Sequence, residues 1–116
     1  MDQERMKKRT KEFAKQVIYL CRQLPNTREG RLINNQFFRA GTSVGANYRA
    51  ACRGRSKADF ISKLGLVLEE TDESLYWLEI LAETNIVKVD LLRGLMNEAN
   101  ELIAIFISSL NKAKIK

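Results

Sequence analysis

Apolar residues recur at steps of three and four along four long runs, and only short breaks separate the runs. A pattern of that kind leaves a chain little choice but to pack helices against one another. The first run extends from near Asp2 to Leu24, with Met6, Phe13, Val17, Leu20 and Leu24 on one side. Leu24-Pro25 ends it, because a residue before proline is driven out of helical backbone. Asn26, with Glu29 three residues later, has the form of a helix N-cap with an acidic first turn. The second run opens there and ends at Gly54, and its inner side reads Ile33, Phe37, Ala40, Gly41, Val44, Tyr48, Ala51 and Cys52. Ser56 with Asp59 caps the third, whose stripe is Phe60, Leu64, Val67, Leu68, Thr71, Leu75, Leu78 and Ala82, with Asn85 at its end. After the link Ile86 to Val89, the fourth carries Leu92, Leu95, Ala99, Leu102, Ile103, Phe106 and Leu110 and fades into Lys112, Lys114 and Lys116, cations suited to a helix C-terminus.

Short connections force sequential helices to be antiparallel neighbours. The expectation is therefore an all-α, antiparallel up-down-up-down four-helix bundle. At 116 residues the chain can build one core but not two, so residues 1–116 are expected to form a single domain. Gly41 and Gly45 each cost a lone helix about 1 kcal/mol relative to alanine, which implies another backbone packed close against the second helix. Cys21 and Cys52 sit among apolar neighbours and read as reduced thiols rather than a disulfide. The charged N-terminus lacks the apolar run of a secretory signal, and no stretch approaches transmembrane length, so a cytoplasmic protein with no membrane association is expected.

Charge is distributed unevenly. Residues 1–63 hold fifteen Lys/Arg against five Asp/Glu, whereas residues 64–116 hold five against nine. Such polarity suits either a basic half that meets phosphates or oppositely charged halves of neighbouring subunits that meet each other. The cations flanking the tightest predicted packing, Arg39, Arg49, Arg53, Arg55 and Lys57, are the candidate nucleic-acid contacts. Lys7, Lys8, Arg9, Lys11 and Lys15 read as a solvated face of the first helix whose summed field still adds to that surface.

The third helix has a second feature on its outer side, where Leu66, Glu73, Trp77 and Ile80 recur at helical spacing, flanked by Tyr76 and by Glu69, Asp72, Glu79 and Glu83. Grouped apolar residues on an outer face suggest a subunit interface. Its complement is the outer side of the second helix, with Arg31, Asn35, Phe38, Thr42, Gly45, Arg49 and Arg53. Contact between two different faces is heterologous and closes into a ring where the rotation permits.

Chemistry is harder to find. The chain has no histidine, which removes the commonest general base and metal ligand. Glu69, Asp72 and Glu73 face outward in this reading and lack the Glu-x-x-His partner of a di-iron bundle. The glycines of GTSVGA follow no strand and open no helix, so they do not form a phosphate cradle. No catalytic residue, metal site or cofactor is expected, and the chain reads as a non-enzyme.

The stretches RAGTSVGANYRAACRGRSKADFISKLG and EETDESLYWLE resemble the four-helix proteins encoded by 23S ribosomal RNA intervening sequences, a family that includes the accessory variability determinant of bacterial diversity-generating retroelements. The similarity spans nearly the whole chain and is most specific between Gln36 and Glu79. Where many members carry a run similar to Asn-Ile-Ala-Glu-Gly, this chain has Asn47-Tyr48-Arg49-Ala50-Ala51, which makes the surface more basic. The resemblance implies a bacterial cytoplasmic homo-oligomer, with rings of five in the retroelement relative, and no known catalysis. For that relative it also implies binding to nucleic acid and to a reverse transcriptase. Two functions stay open: nucleic-acid binding through phosphates, with little direct sequence readout, and a protein-protein scaffold in which the same arginines serve subunit or partner contacts.

Overall fold

A computed structural model describes residues 2–115, and within them the four runs form α1 (Gln3–Cys21), α2 (Arg28–Cys52), α3 (Lys57–Glu83) and α4 (Arg93–Lys114), with a 3-10 turn, Val89–Leu91, ahead of α4. Each of the first three helices starts on a side-chain cap that satisfies an otherwise orphaned backbone donor. Asp2 accepts from the Glu4 N–H at 3.0 Å, Thr27 from the Gly30 N–H at 3.1 Å and Ser56 from the Asp59 N–H at 3.1 Å. The cap of α2 is thus Thr27 and not Asn26, whose side-chain oxygen instead accepts from Arg31 at 3.1 Å. Asn85 follows α3 with φ of 58°, the left-handed conformation that asparagine tolerates just past a helix end. Two ends fall short of expectation. In α1 the helix stops at Cys21, because the Gln23 and Leu24 N–H groups turn to carbonyls three residues back. In α2 it stops at Cys52, with Arg53 as its C-cap. Lys116 lies outside the described residues.

The helices pack in chain order, α1 on α2, α2 on α3 and α3 on α4, into a body of 48 × 20 × 19 Å. Phe13, Phe37, Phe106, Leu64, Leu78 and Leu102 lie at its centre, none more than 1% exposed; each contributes about 1.5–3 kcal/mol on burial. The buried polar residues are Thr10, Thr71 and Ser74, and their hydroxyls donate to Met6, Val67 and Glu70 carbonyls one turn back. That local satisfaction explains a rotation of α3 relative to its expected stripe. Ser74 and Leu81 are fully buried, while Leu75 and Ala82 are half-buried, so the core-facing line is Leu64, Val67, Thr71, Ser74, Leu78 and Leu81. Apolar counting alone passes over a small hydroxyl that can bond its own helix.

Both glycines of α2 sit where α1 presses closest. A Cβ on Gly41 would lie 2.6 Å from Val17 Cγ2, and one on Gly45 would lie 3.2 Å from the Thr10 carbonyl carbon and oxygen. Close backbone packing is met, but Gly45 is buried in the α1–α2 contact and does not belong to an outward partner surface. The opposite seam is thin: α1 and α4 scarcely meet, and a groove of about 670 Å³ runs between them over Phe13, Leu20, Leu91 and Leu95. Arg9 straps this seam, its Nε 2.6 Å from one Glu98 oxygen and its Nη2 2.8 Å from the other and 2.6 Å from Glu101. The Glu98 hydrogen bond comes first among the causes that raise the guanidinium's proton affinity. Cys21 and Cys52 are free thiols, and burial pushes the Cys21 thiol up to about 11.

Candidate functional site

Antiparallel packing brings the start of α1, the end of α2, the start of α3 and the end of α4 to one end of the bundle. Contacts across that end confirm the placement: the rings of Tyr48 and Phe106 lie 6.0 Å apart, and Lys57 Nζ donates to the Ile115 carbonyl at 3.0 Å. Arg5, Lys7, Lys8 and Lys11 therefore gather with Arg49, Arg53, Arg55, Lys57, Lys112 and Lys114. Segments far apart in sequence make one cationic region.

The junction between α2 and α3 is held by Asp59. Its carboxylate accepts from the Arg55 N–H at 3.2 Å and pairs with Lys63 at 3.1 Å. The Lys63 hydrogen bond, then that of the Arg55 N–H, keeps its carboxyl below the usual range. With the turn fixed in this way, the side chains of Arg53 and Arg55 stay exposed, as does Arg49 one turn earlier. Among the described residues, none of these three guanidinium groups has a carboxylate within ion-pair distance. Lys57 shares the region but is turned toward the end of α4.

Arg39 stands apart from the other four candidates, near the middle of the bundle. Its Nη2 lies 2.7 Å from Glu73 and its Nη1 3.3 Å from Glu70, both on α3 of the same chain. Trp77 Nε1 donates to the same Glu73 carboxylate at 3.2 Å. Burial pushes the Glu73 carboxyl up, but the hydrogen bonds from Arg39 and Trp77 outweigh it and the net displacement is downward. The proposed interface stripe of α3 is accordingly divided. Trp77 and Ile80 are half-buried against their own core, and Glu73 is engaged within the chain. Leu66 and Tyr76 remain open, at 49% and 53% exposure.

Residue reading missed the part α1 plays beside α2. Lys7 and Lys11 share a depression of about 190 Å³ with Arg49, floored by Ala14, Gly45 and Ala46. The available signal was the i, i+4 spacing of the two lysines combined with the close approach that Gly45 announces. Neither feature alone separates this face of α1 from its other charged faces.

Taken together, these features define a small antiparallel helical bundle with a cationic end and a cationic α1–α2 face. The chain belongs to the 23S rRNA-intervening sequence protein family, whose model matches residues 3–108. A solved structure from Bacteroides thetaiotaomicron VPI-5482, described as a protein with unknown function from the S23 ribosomal protein family, is 34% identical with a TM-score of 0.87. The match covers 96% of this chain and 99% of that one. No curated protein matches significantly. Among the described residues, no helix is long and apolar enough to cross a membrane.

Proposed function

We propose that this is a non-enzymatic accessory protein of the bacterial cytoplasm that assembles as a homo-oligomer, by family resemblance a ring of five, and binds RNA or DNA through the phosphate backbone. One observation carries the reading: Arg49, Arg53 and Arg55 lie exposed at one end of the bundle, beside the cations of α1 and α4, with no carboxylate in ion-pair distance among the described residues. Uncompensated cations of that density attract polyanions, and each neutralised phosphate releases counterions. A helical surface with no aromatic platform reads phosphates rather than bases, so affinity should depend steeply on salt and little on sequence. Fluorescence anisotropy with labelled RNA and DNA at several salt concentrations tests this. No binding at low salt by a folded protein would refute it.

A scaffold role is the second reading, supported by exposed apolar residues on α2 and α3: Phe38 at 44%, Leu66 at 49% and Tyr76 at 53%. On that reading Arg49 and Arg53 pair with acidic residues of a neighbour, and replacing both by alanine breaks the assembly. On the nucleic-acid reading the same change weakens binding and lowers its salt dependence while the oligomer persists.

A further inference from the structure

We infer that the groove between α1 and α2 is the seat of one backbone phosphate, held between Lys7 and Lys11 on one wall and Arg49 on the other; this rests on the nucleic-acid reading above. The geometry has three parts. First, Gly45 lets α2 approach the Thr10 backbone, and with Ala14 and Ala46 it leaves a floor from which no long side chain rises. Second, Lys7 and Lys11 stand one turn apart on the same face of α1, about 6 Å along its axis, and Arg49 faces them across the floor. Third, neutralisation from within the chain is slight. Lys7 has only the exposed Glu4 at 3.1 Å, and neither Lys11 nor Arg49 has a carboxylate partner among the described residues. Like charges one turn apart disfavour a helix, so this arrangement burdens folding unless an anion lies between the walls.

The depression, about 190 Å³, is smaller than pockets that enclose drug-sized organic ligands, and cations line its rim. It suits a compact, multiply accepting anion that both walls can reach. A phosphodiester meets that description and can continue along the groove, because Arg53, the C-cap of α2, follows Arg49 at the helix end. Charge-assisted hydrogen bonds from a guanidinium and two ammonium groups would hold its oxygens.

Ala46→Glu tests the seat directly. Ala46 is exposed, so a glutamate there leaves the core intact and places a carboxylate between the three cations. Helicity by circular dichroism and oligomer size by sedimentation check the fold, and Lys11→Gln provides a second, conservative variant. Lys88→Gln, at the opposite end of the bundle, serves as the control, and Arg55→Gln removes a cation of the binding end outside the groove. Anisotropy titrations with a labelled oligonucleotide should show weaker binding for Ala46→Glu and Lys11→Gln. Each should also lower the slope of log affinity against log salt by about one, as expected for one lost phosphate contact. Wild-type binding with a steep salt slope, unchanged in both groove variants but reduced by Arg55→Gln, would overturn the seat and leave the nucleic-acid reading standing. No binding by the wild type would overturn both. Phosphatidylglycerol vesicles form the last arm: tighter binding to them than to oligonucleotide, lost in Ala46→Glu, would overturn the backbone assignment in favour of a lipid phosphate.

Discussion

Arg39 on α2 and Glu73 on α3 meet at 2.7 Å, and Trp77 shares the same carboxylate from one turn along its own helix. The cation is thereby compensated inside the protomer, with Glu70 as a second partner. Arg39→Ala is expected to leave oligonucleotide affinity and its salt slope almost unchanged, whereas Arg49→Ala lowers both. Parallel anisotropy titrations decide the matter, and equal losses for the two variants would mean that Arg39 exchanges its carboxylates for phosphate.

The same contact has a pH signature. Because the folded Glu73 carboxyl titrates below its ordinary value of 4.5, its contribution to stability is fully present above that value and is lost as pH falls through the folded one. Since its partner Arg39 is exposed and the pair is screened by solvent, the amount at stake is small, about 0–1 kcal/mol. Urea midpoints measured near neutral pH and at steps below 4.5 should fall for the wild type, and Glu73→Gln should remove part of that fall.

Glycine positions give a sharper test of packing. Gly45→Val forces branched atoms against the Thr10 backbone and should cost about 1–3 kcal/mol. Gly65, inside α3, has nothing within 4 Å of where a Cβ would stand, so Gly65→Ala should stabilise by about 0.4–1 kcal/mol. Chemical denaturation of both variants measures the contrast. Destabilisation by Gly65→Ala would point to a neighbouring subunit at that surface.

Oligomer formation is best probed where the outer stripe of α3 is open. Leu66→Glu with Tyr76→Glu should reduce the sedimenting mass while helicity is kept. Trp77→Glu should lower the melting temperature as well, because the indole packs on its own core and donates to Glu73. A monomeric wild type at micromolar concentration would refute the assembly.

Nearly all of the fold was legible because period and punctuation agreed. Ser56 and Asp59 fix the start of α3 through two local hydrogen bonds, and the apolar steps of α2 from Ile33 to Ala51 bury as spaced, with Cys52 half-buried at the helix end. Positions judged by polarity were less legible. Ser74 is buried because its hydroxyl bonds within the helix, and Gly45 faces α1 because a missing side chain carries no polarity to read. The cationic site was only half visible. Arg49, Arg53 and Arg55 cluster in sequence, but Lys7 and Lys11 join them through antiparallel packing, and the pairing that removes Arg39 involves residues more than thirty positions away.

The thin seam between α1 and α4 also bears on how the chain is made. Except for that seam, the major contacts join consecutive helices, so each new helix leaving the ribosome finds a surface already built for it. The Arg9 strap to Glu98 and Glu101 waits for α4 with the α3–α4 contacts, and it closes a loop of roughly ninety residues. With most contacts local, folding should be fast and the last event should be the docking of α4. A nascent chain stalled before α4 should then already protect the α1–α2 and α2–α3 contacts, while Arg9 stays free in solution.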